Sequence, residues 1–387
     1  MRLHIEGKIN TYYVQMLCMV FFPGTKFTKE ANDDANEPSL DVRMVEENGG
    51  YHAYATMSVG ERCVSRDQFC AFSAERTKER TAKIAVGGAV MNAGAKLLGY
   101  SPAWGMLTGV RPAKMAMELL KQGKTPEQTR HLLVEDYFAF PKKAALATEV
   151  ALAERALVGT PDPRDCSLYV SIPFCPTRCA YCSFVSYTSK RLLSLIPEYL
   201  VALNGEIRQL LSQIQRMGLH LKTVYIGGGT PTILDSDQLR MLLDTIAQGT
   251  DVSALEEYTL ESGRPDTITA EKLKVAKDYG VTRISVNPQT LSDEVLQYLG
   301  RSHTTEDFMC AYHIARESGI SCINTDLIAG LPGDKFKTFA RSFDQILALD
   351  PENITVHTFC VKKAAEALFY TAMTAFITKI TRHKCET

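Results

Sequence analysis

The segment SIPFCPTRCAYCSF, residues 171–184, places three cysteines within eight residues, directly after a strand-like run. Three residues separate Cys175 from Cys179, two separate Cys179 from Cys182, and an aromatic residue precedes the last cysteine. Thiolates are soft ligands, and a short loop that carries three of them can hold three corners of an iron–sulfur cube, with the fourth iron open. Structural zinc, the competing metal, prefers four ligands in two pairs, and no second pair is nearby. Plain thiols are a further alternative.

Short β-branched or aromatic runs alternate with helix-like stretches through the remainder of the chain. The runs are SLYVSIPF, KTVYIGGG, EEYTLES, TRISVNP, SCINTDLIAG and NITVHTF, with expected ends near residues 174, 226, 261, 287, 327 and 358. This alternation predicts βαβ units and a parallel sheet. We therefore expect an α/β fold, a partial (β/α)6 TIM-like barrel.

The unusual polar and glycine-rich elements each follow one of these strands. Right-handed crossovers bring the carboxyl ends of parallel strands to one side, where barrels carry their chemistry. The elements are the cysteine loop, GGGTP (227–231), ESGRP (261–265), NPQT (287–290), Asp326 with GLPG (330–333), and His357. The sequence therefore predicts a single site at one mouth of the barrel. A lone histidine such as His357 also serves as a structural hydrogen-bond partner.

The first part of the chain has a different pattern. The first 70 or so residues indicate strands and turns, with DVRMVEE and YHAYATMSV forming a hairpin around Asn48-Gly49. From Glu75 helical spacing begins, and Thr125 with Pro126 predicts a helix start. The turn-rich segment VGTPDPRDC predicts a boundary between a smaller α+β accessory domain, residues 1–160, and the barrel domain, residues 161–387.

The composition narrows the classes of function. Among the 387 residues, Lys+Arg 43 against Asp+Glu 44 leaves no strong field to attract nucleic acid or anionic lipid. The apolar run Tyr12–Phe22 is too short to span a bilayer and lacks the features of a signal peptide, so we expect a cytoplasmic protein without a membrane span. Eleven cysteines without an export signal indicate thiols or metal ligands rather than disulfides.

The motif Cys-x3-Cys-x2-Cys after the first strand resembles the signature of radical S-adenosylmethionine (SAM) enzymes. LYVSIPFCPTRCAYCSF, YIGGGTPT, ESGRPDTIT, RISVNPQT, LGRSHT and DLIAGLPG, in this order, resemble the oxygen-independent coproporphyrinogen III oxidase family. GMLTGVRPAK, ESGRP and VNPQT are most similar to its coproporphyrinogen dehydrogenase branch of HemZ type. The resemblance covers roughly residues 104–363.

The resemblance implies two cofactors, a 4Fe-4S cluster and SAM, the latter bound to the open iron. The cluster ligands would be Cys175, Cys179 and Cys182. The residues implied to hold SAM are Tyr169, Tyr181, Gly228, Gly229, Thr230, Glu261, Gln289, Arg301 and Asp326. Each of these residues also has a structural alternative. The aromatic residues could pack in the core, and the charged and amide residues could form ion pairs or cap helices. The GLPG segment could be a turn at the end of a strand.

The implied reaction is the oxidative decarboxylation of two propionates of coproporphyrinogen III to vinyl groups, giving protoporphyrinogen IX. A 5′-deoxyadenosyl radical removes a propionate β-hydrogen, carbon dioxide leaves, and an acceptor takes one electron. The implied partners are a tetrapyrrole substrate and a low-potential electron donor of the flavodoxin or ferredoxin class. Arg111 could meet a substrate carboxylate, or it forms a loop ion pair.

Two departures from the family pattern support alternatives. Ser183-Phe184 follows Cys182 where the classical decarboxylase has an extra cysteine, and haem-trafficking relatives share this trait, so a haem chaperone is the second hypothesis. After the sixth strand the family continues into a C-terminal region, whereas residues 359–387 here suffice for one helix. A truncated, inactive homologue is therefore the third hypothesis.

Overall fold

The computed structural model describes residues 1–28, 36–107, 111–159 and 162–359. The chain divides into two compact units, Met1–Pro161 and Asp162–Thr387. The division falls one residue from the boundary expected from the sequence. The roles of the two units as accessory and barrel domains stay predictions.

The first unit contains a four-stranded sheet in the order β1-β2-β3-β4. Its strands are β1 (Arg2–Glu6), β2 (Ser39–Glu47), β3 (Gly50–Val59) and β4 (Arg62–Ala71). β1 runs parallel to β2, and the other pairs are antiparallel. The predicted hairpin is β2–β3, joined at Asn48 (φ 49°) and Gly49 (φ 73°). Two successive positive φ values define a type I′ turn, for which Asn-Gly is the preferred pair.

The described residues of the first unit also form five helices: α1 (Thr11–Phe21), α2 (Lys78–Leu98), α3 (Pro112–Lys121), α4 (Pro126–Glu135) and α5 (Pro141–Val158). The expectation of only strands and turns before residue 70 is wrong, because α1 is a helix. Asn10 caps it by accepting a hydrogen bond from the Tyr13 amide, and Val14, Leu17, Cys18 and Phe21 are buried at helical spacing. The Thr125 cap is confirmed, with a capping box to Gln128.

The second unit contains a six-stranded sheet in which all neighbouring strands are parallel and adjacent in chain order. The strands are β5 (Asp165–Ile172), β6 (His220–Gly228), β7 (Glu257–Leu260), β8 (Arg283–Ser285), β9 (Cys322–Ala329) and β10 (Asn353–Thr358). The predicted α/β fold, a partial (β/α)6 barrel, is confirmed.

Helices follow the strands as the alternation predicts: α6 (Lys190–Leu193), α7 (Ile196–Arg216), α8 (Ser236–Gly249), α9 (Ala270–Asp278), α10 (Asp293–Tyr298), α11 (Thr305–Glu317) and α12 (Phe336–Ala348). Val170, Val224 and other alternate strand residues pack with apolar helix residues such as Leu200 and Leu242 in one core cluster. The opposite face of the sheet is polar. Tyr169 and Tyr225 project from that face and stack with ring centroids 5.7 Å apart.

Within the part of the chain that the structure describes, every helix is too short or too polar to cross a bilayer. The helix expected in the C-terminal tail, and the tail's bearing on activity, concern residues outside the described ranges.

Candidate active site

The cysteine loop, residues 175–182, begins after the two residues that follow the end of β5, and hydrogen bonds to the segment around Tyr187 hold it in place. A parallel bridge joins Phe174 and Tyr187, and the Cys175 amide donates to the Tyr187 carbonyl at 3.1 Å. The Cys182 amide donates to the Cys179 carbonyl at 3.0 Å, which closes a tight turn. Cys175 and Cys179 are buried, whereas Cys182 is partly exposed.

The glycine loop after β6 packs directly against the first cysteine. The Gly229 and Thr230 amides donate to the carbonyls of Ile172 and Phe174, both at 2.8 Å, and the Thr230 hydroxyl lies 3.2 Å from Cys175 Sγ. A Cβ at Gly229 would meet the Phe174 carbonyl oxygen at 2.6 Å and Cys175 Sγ at 3.0 Å. Glycine is therefore required here by the contact between the two loops.

The three cysteines of this loop are candidate metal ligands. Among the described residues, no three His, Cys, Asp or Glu side chains are placed to share one ion. Burial raises the pKa of Cys175, while the Thr230 hydroxyl and Arg264 act in the opposite direction. In an iron–sulfur cube each thiolate binds a different iron, so the sulfurs stand further apart than the ligands of one zinc ion. Three thiolates on one loop fit a cluster whose fourth iron is open.

Arg301 joins the cysteine loop to two other strand ends. It is buried, and its Nη1 lies 3.1 Å from the Tyr181 hydroxyl and 3.9 Å from Cys179 Sγ. Its Nη2 donates to the carbonyls of Gly263 and Asn287 at 3.1 and 2.8 Å. Burial raises the pKa of Tyr181, and Arg301 opposes that rise. Its Nε donates to His303 Nδ1 at 3.4 Å, so the guanidinium is fixed beside the cysteine loop as a buried positive charge.

Gln289 has a strained backbone and an unsatisfied side-chain atom. Its φ is 71°, in the left-handed region, where it is held by hydrogen bonds from its amide to the Asp326 carbonyl (3.1 Å) and from the Ile328 amide to its own carbonyl (2.8 Å). Its Oε1 is buried without a hydrogen-bond partner among the described residues. Strain and an unpaired acceptor each cost roughly 1–3 kcal/mol and concentrate at ligand sites.

Glu261 lies at the end of β7, beside the glycine loop. Burial raises its pKa to about 7, hydrogen bonds from the Gly228 amide and the Tyr225 hydroxyl oppose the rise, and the nearby charge of Asp326 adds to it. Two carboxylates facing one region favour a cationic group between them. Tyr169 stands beside them on the polar face, three residues before the end of β5, which places it about 10 Å below the rim.

Asp326 is oriented by two asparagine side chains. Asn287 Nδ2 donates to Asp326 Oδ2 at 2.8 Å, Asn324 Nδ2 donates to Oδ1 at 2.7 Å, and the Asp326 amide donates to Asn287 Oδ1 at 3.1 Å. His357 Nε2 lies 3.9 Å from Asp326 Oδ2, and its side chain is 58% exposed. The carboxylate is therefore fixed in direction on β9, the strand next to the edge of the sheet.

The structure brings most of the predicted site residues into direct contact. Cys175 contacts Thr230 of the glycine loop, Arg301 contacts Cys179 and Tyr181, and Glu261 accepts a hydrogen bond from the Gly228 amide. Tyr169 lies near Glu261, and its contact with SAM stays a prediction. Arg111 is an exposed residue of the first unit, so its meeting with a substrate stays a prediction.

Three residues of the site were not singled out by sequence reasoning: Tyr225, Arg264 and Asn287. Arg264 and Asn287 belong to motifs that follow predicted strands, ESGRP and NPQT, so their positions indicate a place at the predicted mouth of the barrel. Tyr225 alternates in β6 with the buried residues Val224 and Ile226, which places it on the polar face. The GLPG segment is a strand-end turn, with Leu331 in a small apolar cluster packed against Tyr181.

Comparison with known proteins identifies the class. Residues 169–346 match the model of the radical SAM superfamily. The chain therefore carries a radical SAM domain, and the cofactors of this domain are a 4Fe-4S cluster and SAM.

Two curated proteins of Bacillus subtilis are similar to this chain. The chain is 38% identical over 273 residues to the oxygen-independent coproporphyrinogen-III oxidase-like protein HemZ of Bacillus subtilis, covering 69% of this chain and 54% of that protein. It is 39% identical over 209 residues to the heme chaperone HemW of the same organism, covering 54% of this chain and 53% of that one. The chain thus spans about half the length of the curated relatives it matches.

A solved structure, the coproporphyrinogen III oxidase HemN of Escherichia coli, is 26% identical with a TM-score of 0.47, covering 60% of this chain and 56% of that one. Residues 169–346 thus form a radical SAM domain, and the chain is similar to HemZ over 273 residues.

Proposed function

We propose that this chain is the radical SAM part of an enzyme of porphyrin biosynthesis that oxidatively decarboxylates coproporphyrinogen III to protoporphyrinogen IX. The observation that carries the proposal is the meeting of the cysteine loop, the glycine loop and Arg301 at one mouth, beside the unsatisfied Gln289. The similarity to HemZ supports the choice of substrate class.

The three cysteines would hold the cluster, and the surrounding residues would orient SAM. The buried positive charge of Arg301 would favour the carboxylate of SAM nearby, and Gln289 Oε1 would gain a donor. Glu261 and Asp326 present acceptors for the cationic and hydroxyl groups of the cofactor, and Gly228, Gly229 and Thr230 present backbone. Tyr169 and Tyr181 would flank it.

The cofactor pair, once reduced, supplies a carbon radical that removes a hydrogen atom from the substrate. Each propionate would lose one β-hydrogen atom, one electron and carbon dioxide, and become a vinyl group. The chain's own residues bind and orient the reactants. The reductant would be of the flavodoxin or ferredoxin class, reaching the cluster from the side where Cys182 is partly exposed.

The test is an anaerobic assay of the reconstituted full chain with coproporphyrinogen III, SAM and a strong reductant, followed by chromatography of the porphyrins. We expect a vinyl product and 5′-deoxyadenosine, and neither from Cys175→Ser. Cleavage of SAM without any vinyl product would contradict the decarboxylase function while leaving the cofactor assignment intact.

A haem chaperone is the second candidate. The chain is similar to the heme chaperone HemW, and Ser183-Phe184 follows the last cysteine, as in haem-trafficking relatives. Titration with haem, followed by absorbance, distinguishes the two functions. One haem bound per chain without turnover of coproporphyrinogen III would favour the chaperone.

A further inference from the structure

Arg264 is a buried arginine whose N–H donors all have partners on the loops around the cysteines. It is 4% exposed and follows β7 within ESGRP. Nη1 donates to the Thr177 carbonyl (3.1 Å) and lies 3.7 Å from Cys179 Sγ, and Nη2 donates to the Thr177 hydroxyl (2.8 Å) and to Ser302 Oγ (3.1 Å). Nε donates to Asp266 Oδ1 at 3.2 Å.

These contacts join three separate segments. Thr177 lies between the first two cysteines, Asp266 follows β7, and Ser302 follows α10 and itself donates to Asp266 Oδ2 at 2.9 Å. The cysteine loop has further contacts with the segment after α10, because the Ala180 amide donates to the Leu299 carbonyl at 3.0 Å and Thr177 Oγ1 to the Gly300 carbonyl at 3.3 Å. Arg264 connects all three segments through one side chain.

We propose that Arg264 is a positioning residue that holds the cysteine loop in the shape its cluster requires, and that its charge beside Cys179 raises the reduction potential of that cluster. The inference rests on the proposed placement of the cluster on the three cysteines. Only the planar, forked guanidinium can reach the carbonyl and hydroxyl of Thr177 together with Ser302, because an ammonium lacks that spread of donors.

The electrostatic part follows from the position of the charge. Reduction adds an electron to the cluster, and a nearby cation stabilises the reduced form. Asp266 pairs with the Nε side of the guanidinium, whereas Nη1 faces the sulfur. The guanidinium therefore presents to Cys179 a nitrogen that Asp266 does not pair with.

Three variants separate geometry from charge. Arg264→Lys keeps the positive charge but loses the forked arrangement of N–H donors, and Arg264→Gln loses both the charge and that arrangement. Lys272→Met is the matched control, because Lys272 also bridges two loops, donating to the carbonyls of Thr232 (2.7 Å) and Thr267 (3.1 Å) rather than to the cysteine loop. Iron per chain after anaerobic reconstitution and a redox titration followed by electron paramagnetic resonance are the two measurements.

We expect Arg264→Gln to bind less iron and to shift the cluster's reduced-to-oxidised ratio at fixed potential roughly tenfold toward the oxidised form. Arg264→Lys should bind less iron but keep the potential, and Lys272→Met should keep both. Wild-type iron content and potential in Arg264→Gln, or an equal shift of potential in Lys272→Met, would overturn the inference. Absence of iron in the wild-type chain would instead contradict the proposed cluster site.

Discussion

The hydroxyl of Thr230 lies 3.2 Å from the sulfur of Cys175, although the two residues are 55 positions apart in the chain. This contact places the glycine loop after β6 against the cysteine loop after β5. Thr230 is 1% exposed, so the hydroxyl has no access to water as an alternative partner.

Thr230→Val should weaken iron retention about three- to tenfold, because the change removes one hydrogen bond to a cluster ligand and keeps the shape of the side chain. Thr230→Ser is the control and should retain iron, since it keeps the hydroxyl. Iron bound after dialysis of reconstituted protein against a chelator measures the effect. Equal iron in Thr230→Val and wild type would show that the contact does not support the cluster.

Substituting Ser for Cys175, Cys179 or Cys182 should abolish the iron content and the visible absorption of the reconstituted protein, because each cysteine supplies one thiolate ligand. Cys63→Ser and Cys310→Ser are matched controls, since both are exposed free cysteines outside the loop. We expect them to keep the wild-type iron content. Loss of iron in a control, or its retention in a loop variant, would contradict the assignment.

Gly229→Ala should destabilise the fold by about 1–3 kcal/mol and lower iron binding, because the new methyl group would press on Phe174 and Cys175. Gly205→Ala is the control, because Gly205 has open space where the methyl group would be added. Gly205 lies within α7 with nothing within 4 Å of the added Cβ, so alanine should stabilise by up to about 1 kcal/mol. Urea unfolding of both variants measures the difference, and equal midpoints would contradict the close approach of the loops.

Glu261 should make stability fall as the pH rises. Its folded pKa is raised from 4.5 to about 7, so the folded state keeps the proton longer than the unfolded state. The associated stability is complete below pH 4.5 and is lost as the pH rises toward 7, by at most about 3 kcal/mol. Urea unfolding without SAM should show this fall in the wild type and a smaller one in Glu261→Gln. Parallel pH profiles would refute the prediction.

Gln289→Met should leave the ligand-free protein as stable as the wild type or more stable by about 1 kcal/mol, because it removes an unpaired buried acceptor. The same change should weaken SAM binding at least about tenfold. Thermal unfolding with and without SAM measures both effects. A variant that loses stability and binds SAM as the wild type does would indicate a purely structural role for Gln289.

The strands of the second unit were predictable because each strand is short, β-branched and followed by a turn or glycine-rich motif. The predicted ends near residues 226 and 327 lie within two residues of the ends of β6 and β9. α1 was missed because an eleven-residue apolar run has no clear period, and only packing of Val14 and Phe21 shows which face is buried. The contacts of Arg264 and Asn287 in the site are not predictable from the sequence, because their partners are distant in the chain.

The spacing of Cys175, Cys179 and Cys182 and the rhythm of strands and helices are properties of the chain alone, because ligand spacing and hydrophobic periodicity are local. They determined the fold class and the kind of cofactor. The strained Gln289, the raised pKa of Glu261 and the clamp of Arg264 were decided only by the tertiary structure. Each depends on groups that the parallel sheet brings together from different strand ends, and burial gives those contacts their strength.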